Sequence, residues 1–571
     1  MGVNKLWDVI RERHPQKKED TVSLAQLGEE YLKKKGRPFR VAVDIYPQIF
    51  AHKGATDTTR DSGGMNYASK NIFYYAMQFL QAGVQPVFVY DGDDKPAYKR
   101  KRYHNYSQFN RAKHLIPKAA ESSTTRTTED KDRDQSLTHI VRLTKETFAI
   151  LGLPCIDAAG EAEAECCALE RLGLVDGVVT SDGDAFIFGS SLVLDVCNKD
   201  GNKPRRAYVY TSRNTMSRGF CLLFALVSGG DYTNGLKGFG PSAVQDLYDA
   251  FGEELDRHLD SQDYVVGKVV AWSKQVAMKL KQSSIPRSRA LAEKLSRGFD
   301  KDVVRHYLEP RLHPTSLLKQ WLREDAWIQP MKVSRFRLHT AEYFDWKGRN
   351  FARKFAKNLC EPLLAQYLMI QGLQYHSQQR LPECGFLLDN AKMDEIVRIK
   401  VSYNPEQLLG MKVSTEPIIE GGRYSRKVNF DPSKDQPAWL PEWLVEYGAP
   451  VLHAEWHKSN SKSCKKVAPQ KTRKARKRSQ RDDESYAQPT PKRTRISPPT
   501  TPSLHLPASS DKLPELAAFA ALLRKNNGRF KPHSATSSPM PEFEKELSRA
   551  TNLSMLDNGE VEVFDLTSSP C

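Results

Sequence analysis

The stretch "AAGEAEAECCALERLGLVDGVVTSDGDAFIFGSS", residues 158–191, places Glu161, Glu163, Glu165, Asp182 and Asp184 around a helix-like run and the short apolar run "VDGVV". It is one unit of a longer alternation. Strand-like runs "VAVDIYPQIF", "QPVFVYDGD", "VDGVVTSDGD" and "FALVSGGDY" recur through residues 1–375. Helical patterns lie between or after them, such as "NYASKNIFYYAMQFLQAG", with Asn66 as its cap and Gly83 as its stop. Alternating β and α units predict an α/β fold with a mostly parallel central sheet flanked by helices.

The apolar part of each run leads into an aspartate: Asp44, Asp91, Asp182 and Asp231. Strand C-termini of a parallel sheet emerge at one edge, where open α/β folds bind ligands, so the four would meet. Any one of them alone reads more readily as a helix cap. Together they would repel unless protonated or bound to cations. Oxygen donors without His or Cys suit Mg²⁺ or Mn²⁺, and two such ions roughly 4 Å apart suit phosphodiester hydrolysis. The glutamates are ambiguous. On an ideal helix Glu161 and Glu163 lie about 200° apart, whereas Glu161 and Glu165 share a face. Glu161 and Glu163 can reach one site only if Gly160 and Glu161 form a non-helical mouth, and acids in a first turn also complement the helix dipole.

With 571 residues, the chain is long enough for one large domain or two plus tails, and its net charge of +17 favours a polyanionic partner. Nine cysteines with no CxxC pair suggest neither a zinc site nor a disulfide framework, and a reducing intracellular compartment fits best. The start "MGVNKLWDVIRERHPQ" lacks the apolar run of a signal peptide, and no segment has membrane-span length. Residues 255–330 and 349–372 read as further basic helices. The segment "ESSTTRTTEDKDRDQS", residues 121–136, is expected to be a mobile loop. Residues 395–460 read as a small separate β-rich module, with "VRIKVSYN" and "GGRYSRKVNF" as strands and Trp439, Trp443, Tyr447 and Trp456 mostly packing its core. From 461 to 571, Ser, Pro, Thr and charge dominate, which predicts disorder apart from a short helix at "KLPELAAFAALLRK".

The motifs "MGVNKLW", "VAVDIY", "VFVYDGD", "GEAEAECCAL", "TSDGDAFIFGS" and "VSGGDYTNGLKGFGPSAVQDLYDAFG" occur in the order of the structure-selective XPG and flap-endonuclease superfamily, which the chain resembles over roughly residues 1–255. "GVNxLW" with "GEAEA" is most similar to its GEN/Yen-type Holliday junction resolvases. The resemblance implies a PIN-like nuclease core over 1–375, with an arch at about 95–137 and a helix-two-turn-helix at about 231–255. A chromodomain-like module would follow at 395–460. It also implies metal carboxylates at Asp44, Asp91, Glu161, Glu163, Asp182, Asp184 and Asp231. That choice sets Glu165 aside as a structural or supporting acid. Two Mg²⁺ ions, which Mn²⁺ can replace, would serve the chemistry.

In "GLKGFGPSA", Gly235, Gly238 and Gly240 let backbone N–H groups approach a DNA phosphate at a helix start and Lys237 adds charge; the resemblance adds K⁺ there. Gly2 matches the family's N-terminal glycine. In the arch segment "KPAYKRKRYHNYSQFNRAKHLIPK", Lys99 and Arg102 match the family's phosphate-steering pair, although "DGDDKPAYK" departs from its usual DGxPP-like turn. The implied activity is Mg²⁺-dependent incision of branched DNA: symmetrical resolution of four-way junctions by a homodimer that is monomeric when free, and cutting of 5′ flaps. A flap endonuclease or 5′ exonuclease is the alternative, and a catalytically inactive chromatin or DNA-binding protein the alternative of another class.

In the tail, "KSCKKVAPQKTRKARKRSQR" and "TPKRTR" read as nuclear localisation signals. Thr490 resembles a cyclin-dependent kinase site, and Ser497, Thr501, Ser538 and Ser569 also precede Pro, so phosphate there would mask basic charge. "GEVEVFDLTSSP" resembles a SUMO-interacting motif, with Val561, Val563, Phe564 and Leu566 able to add a strand to a partner sheet.

Overall fold

The computed structural model describes residues 3, 6–13, 21–53, 66–92, 128–196, 206–211, 216–261, 263–282, 286–327, 329–375, 386–393, 396–421 and 428–464. Seven strands form the central sheet: β1 (Val22–Ser23), β2 (Arg40–Asp44), β3 (Gln85–Tyr90), β4 (Cys155–Asp157), β5 (Gly177–Val179), β6 (Leu192–Val196) and β7 (Arg206–Thr211), in the order β1-β7-β6-β5-β2-β3-β4. The five from β6 to β4 run parallel, while β7 is antiparallel to β6 and β1 to β7. Every residue of β2 and β3 is buried, as expected of central strands covered on both faces. Val41, Val43, Phe88 and Tyr90 pack into one hydrophobic cluster, and their neighbours Ala42, Val87 and Val89 into another on the opposite face.

The strand order fixes where a site belongs. From β2 the chain visits β3 and β4 on one side, then returns to β5 and β6 on the other. The crevice between β2 and β5, at their C-terminal ends, is therefore the topological switch point where such sheets bind ligands.

"FALVSGGDY", expected as a strand, is instead the end of the helix Arg218–Ser228, whose cap Ser217 accepts the Phe220 N–H at 3.1 Å. Gly219 to Val227 are all buried, and a run that is apolar all round carries no period to separate a strand from a buried helix. The expected loop at 121–136 is also corrected where described: residues 128–136 form the first turns of the helix Thr128–Ile150. Asn66 does precede its helix, Tyr67–Gln81, but caps nothing through its side chain; its Nδ2 donates to the Tyr343 carbonyl at 2.8 Å.

A second sheet, β10-β9-β8, is antiparallel and built from β8 (Phe386–Met393), β9 (Ile396–Tyr403) and β10 (Gln436–Pro441). It begins upstream of residue 395, and the described part of "GGRYSRKVNF", Gly421 and residues 428–430, holds no strand. This region does not stand apart. Ile399, Val401, Leu440, Trp443 and Leu444 share the hydrophobic cluster that covers one face of the central sheet. Trp443 lies against Gly28 and Gly83, and its Nε1 donates to the Ala25 carbonyl at 3.1 Å. Trp456 is also buried, Tyr447 is half-buried, and Trp439 lies under the Lys400 ammonium at 5.9 Å, so the aromatics pack rather than form a cage.

A buried ion-pair node ties β5 to β2. Asp176 accepts from Arg37 at 2.7 and 3.0 Å, from Lys35 at 2.5 Å and from the Arg40 N–H at 2.9 Å. Burial alone would raise its carboxyl, but the hydrogen bonds from Arg37, Lys35 and Arg40 outweigh it and hold it below the ordinary 3.8. A depressed carboxyl contributes stability that is present above its unfolded value and lost as pH falls through its folded one. Asp176→Ala should therefore cost about 3–5 kcal/mol at neutral pH, because three cationic or N–H donors lose their acceptor. Denaturant titrations should show that cost shrinking below pH 3.8.

Candidate active site

Asp44 ends β2 and Thr180 follows β5, so they face one another across the switch point. The Thr180 hydroxyl donates to Asp44 Oδ2 at 3.0 Å and accepts the Asp182 N–H at 3.0 Å. Asp44 Oδ1 accepts the Tyr46 N–H at 3.1 Å, and Asp182 Oδ1 accepts the Asp184 N–H at 3.0 Å. Asp44 and Asp182 thus each hold the first N–H of the helix that follows, and those bonds aim their carboxylates. Burial pushes the Asp44 carboxyl well above its ordinary value, and the charges of Glu163, Asp91 and Asp182 push it further, against the hydrogen bond from the Tyr46 N–H.

The helix Ala162–Arg171 brings the glutamates. Glu161 precedes its first residue with extended backbone (φ −98°, ψ 137°), so the helix mouth is non-helical at Glu161. Asp91, at the end of β3, accepts the Ala162 N–H at 2.9 Å, between the two glutamates. Glu161 accepts from the hydroxyl of Tyr232, the residue after Asp231. Asp184 accepts the Val3 N–H at 3.0 Å. Asp44, Glu161, Glu163, Asp182, Asp184 and Asp231 are buried and Asp91 is half-buried. Asp231 arrives from the end of a helix, through the turn that carries Tyr232.

Glu165 points elsewhere. It is fully buried and accepts the Ala159 N–H at 3.0 Å and the His313 N–H at 3.3 Å, so it ties the helix mouth to the 310–314 loop. Glu165→Ala should leave those donors unsatisfied, costing about 1–3 kcal/mol, and weaken divalent-cation affinity about 10–100-fold through loosened geometry. Isothermal titration with Mn²⁺ measures the second effect.

An all-oxygen donor set that is buried and mutually repelling fits a hard divalent cation, as the raised Asp44 carboxyl indicates. Beside it opens a cleft of about 840 Å³ lined by Tyr46, Asp91, Lys145, Asp157 and His313.

Below the site, the helix Arg218–Ser228 leads through a glycine-rich turn to the helix Pro241–Asp260, capped at Gly240 with Pro241 at its first position. Gly235 is required by its backbone: its φ is +73°, and a Cβ there would meet the Val227 carbonyl oxygen at 2.5 Å. Gly238 and Lys237 are exposed, and nothing lies within 4 Å of where a Cβ would stand at Gly238 or Gly240. The backbone at this helix start is open to an approaching anion.

Residues 152–231, which include Glu161, Glu163, Asp182, Asp184 and Asp231, match the XPG I-region family model. Relatives include the single-strand DNA endonuclease 1 of Oryza sativa subsp. japonica, 26% identical over 64% of this chain and 55% of its own length. The flap endonuclease GEN-like 1 of the same organism is 29% identical over 47% of this chain and 41% of its own. The chain is thus similar to nucleases of the XPG/flap-endonuclease superfamily, and residues 152–231 carry the match to its I-region. It spans about half the length of these two curated relatives. Its fold is that of the Holliday junction-resolving enzyme GEN1, solved with product DNA, Mg²⁺ and Mn²⁺, at a TM-score of 0.55 and 23% identity over 77% of this chain and 96% of that one. Human GEN1 with Holliday junction DNA superposes at 0.53 with 19% identity, over 82% and 100%.

Gly2, Lys99 and Arg102, and the tail positions Thr490, Ser497, Thr501, Ser538, Ser569, Val561, Val563, Phe564 and Leu566, lie outside the described residues, as does the expected helix at "KLPELAAFAALLRK". Several residues that support the acids carry no motif signal of their own. Thr180 and Tyr232 orient Asp44 and Glu161, and Trp7 braces the loop through its Nε1–H to the Ser181 carbonyl at 2.8 Å. Trp7 and Thr180 do sit inside the quoted motifs "GVNKLW" and "TSDGD"; what the linear motif lacks is which side chain faces which acid.

Proposed function

We propose that this chain is a structure-selective, divalent-metal-dependent DNA endonuclease that resolves four-way junctions by paired incision and also cuts 5′ flaps. One observation carries the reading: at the switch point of the sheet, Asp44 is crowded by Glu163, Asp91 and Asp182 in a buried site of a chain carrying +17 net charge. Asp44, Asp91, Glu161, Glu163, Asp182, Asp184 and Asp231 would hold a pair of Mg²⁺ or Mn²⁺ ions. Divalent cations supply, when bound, the lowered water pKa and the charge neutralisation that phosphodiester hydrolysis needs.

The chain's own residues set the geometry. Thr180, Tyr46 and Tyr232 fix carboxylate orientation, while Lys237 and the open backbone at Gly238 and Gly240 grip a duplex phosphate, with K⁺ at the same turn. Lys99 and Arg102 would draw the scissile phosphate in, and Gly2 would lie beside it. Two copies on one junction would place two sites for symmetrical nicks. The basic tail would direct the chain to the nucleus, phosphorylation at Thr490, Ser497, Thr501 and Ser538 would restrain DNA binding, and residues 561–566 would dock SUMO. Alanine substitution of those four phosphosites tests the restraint: nuclear accumulation or junction affinity should rise, and no change in either rejects it.

The relatives named as flap endonucleases favour a second reading, cleavage confined to flaps and free ends. Labelled four-way junctions, 5′ flaps and duplex, each with and without Mg²⁺, separate the two. Paired symmetrical nicks with ligatable ends support resolution. Cutting of flaps alone supports the second reading, and no cutting of any substrate overturns both.

A further inference from the structure

We propose that Glu442, His453 and His457 form a zinc site, separate from the acidic cluster, that fastens the helix Pro450–Cys464 to the helix Glu442–Gly448. The histidines are four residues apart and therefore on one face of their helix, and Glu442 opens the preceding helix. One carboxylate oxygen, Glu442 Oε1, lies 3.0 Å from His453 Nε2 and 3.1 Å from His457 Nε2, and the two nitrogens are 3.2 Å apart.

Hydrogen bonds alone cannot satisfy that triangle. A carboxylate oxygen only accepts, so each imidazole must turn a protonated Nε2 toward it; the contact between the nitrogens then has two donors and no acceptor. If one nitrogen gives up its proton to accept from the other, it faces the carboxylate with a lone pair. A cation removes the conflict, because all three atoms can then present lone pairs. The dimensions suit Zn²⁺. Bonds of about 2.0–2.1 Å in tetrahedral geometry put ligands about 3.3 Å apart, close to the edges observed here.

The surroundings hold the rings in place. His453 is buried, and Trp456 stacks on it at 6.3 Å and meets His457 edge-on at 4.8 Å. The His457 side chain is 54% exposed, so the fourth tetrahedral position opens to solvent, where water or an external donor completes the shell. Nitrogen donors also separate this site from the all-oxygen cluster, which selects harder ions. The cysteine spacing gave no sign of it because no cysteine takes part; the sequence signal is the pair His453 and His457 at helical spacing.

The test uses the full chain, stripped with chelator and titrated with Zn²⁺ or Co²⁺ in excess Mg²⁺. Parent protein should bind one equivalent of Zn²⁺, give the intense visible absorption of tetrahedral Co²⁺, and melt at a higher temperature with zinc. His457→Ala, at an exposed position, should melt like the zinc-free parent and lose more than about 100-fold in Zn²⁺ affinity, beyond the loss typical of an outer-shell change. Asp182→Asn should retain the full equivalent. Zinc binding that is absent from the parent, unchanged in His457→Ala, or lost in Asp182→Asn overturns the assignment.

Discussion

Asp182→Asn should abolish Mg²⁺-dependent cutting of branched DNA, by more than about 100-fold, while leaving junction affinity within a few fold. Asp182 stands at the centre of the acid network: its Oδ1 holds the Asp184 N–H, its own N–H bonds the Thr180 hydroxyl that bonds Asp44, and its charge raises the Asp44 carboxyl. An amide is nearly isosteric and still accepts the Asp184 N–H, so the loop stays in place; what is lost is one negative charge. Metal-free Asp182→Asn protein should therefore melt above the metal-free parent, because like-charge repulsion is relieved. Added Mg²⁺ should stabilise the parent more than the variant. Gel assays with labelled junctions, alongside melting curves with and without Mg²⁺, read both effects. A variant that cuts at the parental rate removes Asp182 from the site.

How much of this site is legible in sequence depends on the element that carries each acid. Asp44, Asp91 and Asp182 follow short apolar β-branched runs, and the βα alternation alone places those at one edge. Asp231 follows "FALVS", a run just as apolar, yet it leaves a buried helix. Burial on all sides erases the period that separates the two cases. The choice between Glu163 and Glu165 turns on the backbone of Glu161, a φ and ψ pair that spacing does not encode. Thr180 and Tyr232 were equally hidden, because their roles are contacts across 136 and 71 residues of chain. Of the C-terminal sheet only β9 was visible as a strand, and the sheet's attachment was not visible at all, since Trp443 looks the same whether it fills its own small core or a neighbour's.

Trp443→Ala should lower the stability of the whole described body by about 3–5 kcal/mol, the usual cost of removing a buried large aromatic side chain. Trp443 is 6% exposed and fills a slot between the helix Leu24–Lys35 and the end of the helix Tyr67–Gln81. Both helices flank the central sheet that holds Asp44 and Asp91. A module standing apart would unfold first and leave the sheet's own transition unchanged. Shared packing predicts one transition, shifted as a unit, in denaturant titrations followed by both far-ultraviolet dichroism and tryptophan fluorescence. Gly28 sharpens the test. A Cβ there would meet the indole of Trp443 at 2.6 Å, while its backbone is ordinary helix. Gly28→Ala in the parent must displace the ring, and overpacking of this kind costs typically about 1–3 kcal/mol. In the Trp443→Ala background the same methyl enters the vacated slot and restores part of the lost burial, so the double variant should be more stable than Trp443→Ala alone. That reversal of sign is a coupling energy of about 1–3 kcal/mol between residues 415 positions apart. Additive effects would mean that the C-terminal helix does not rest on the central-sheet body.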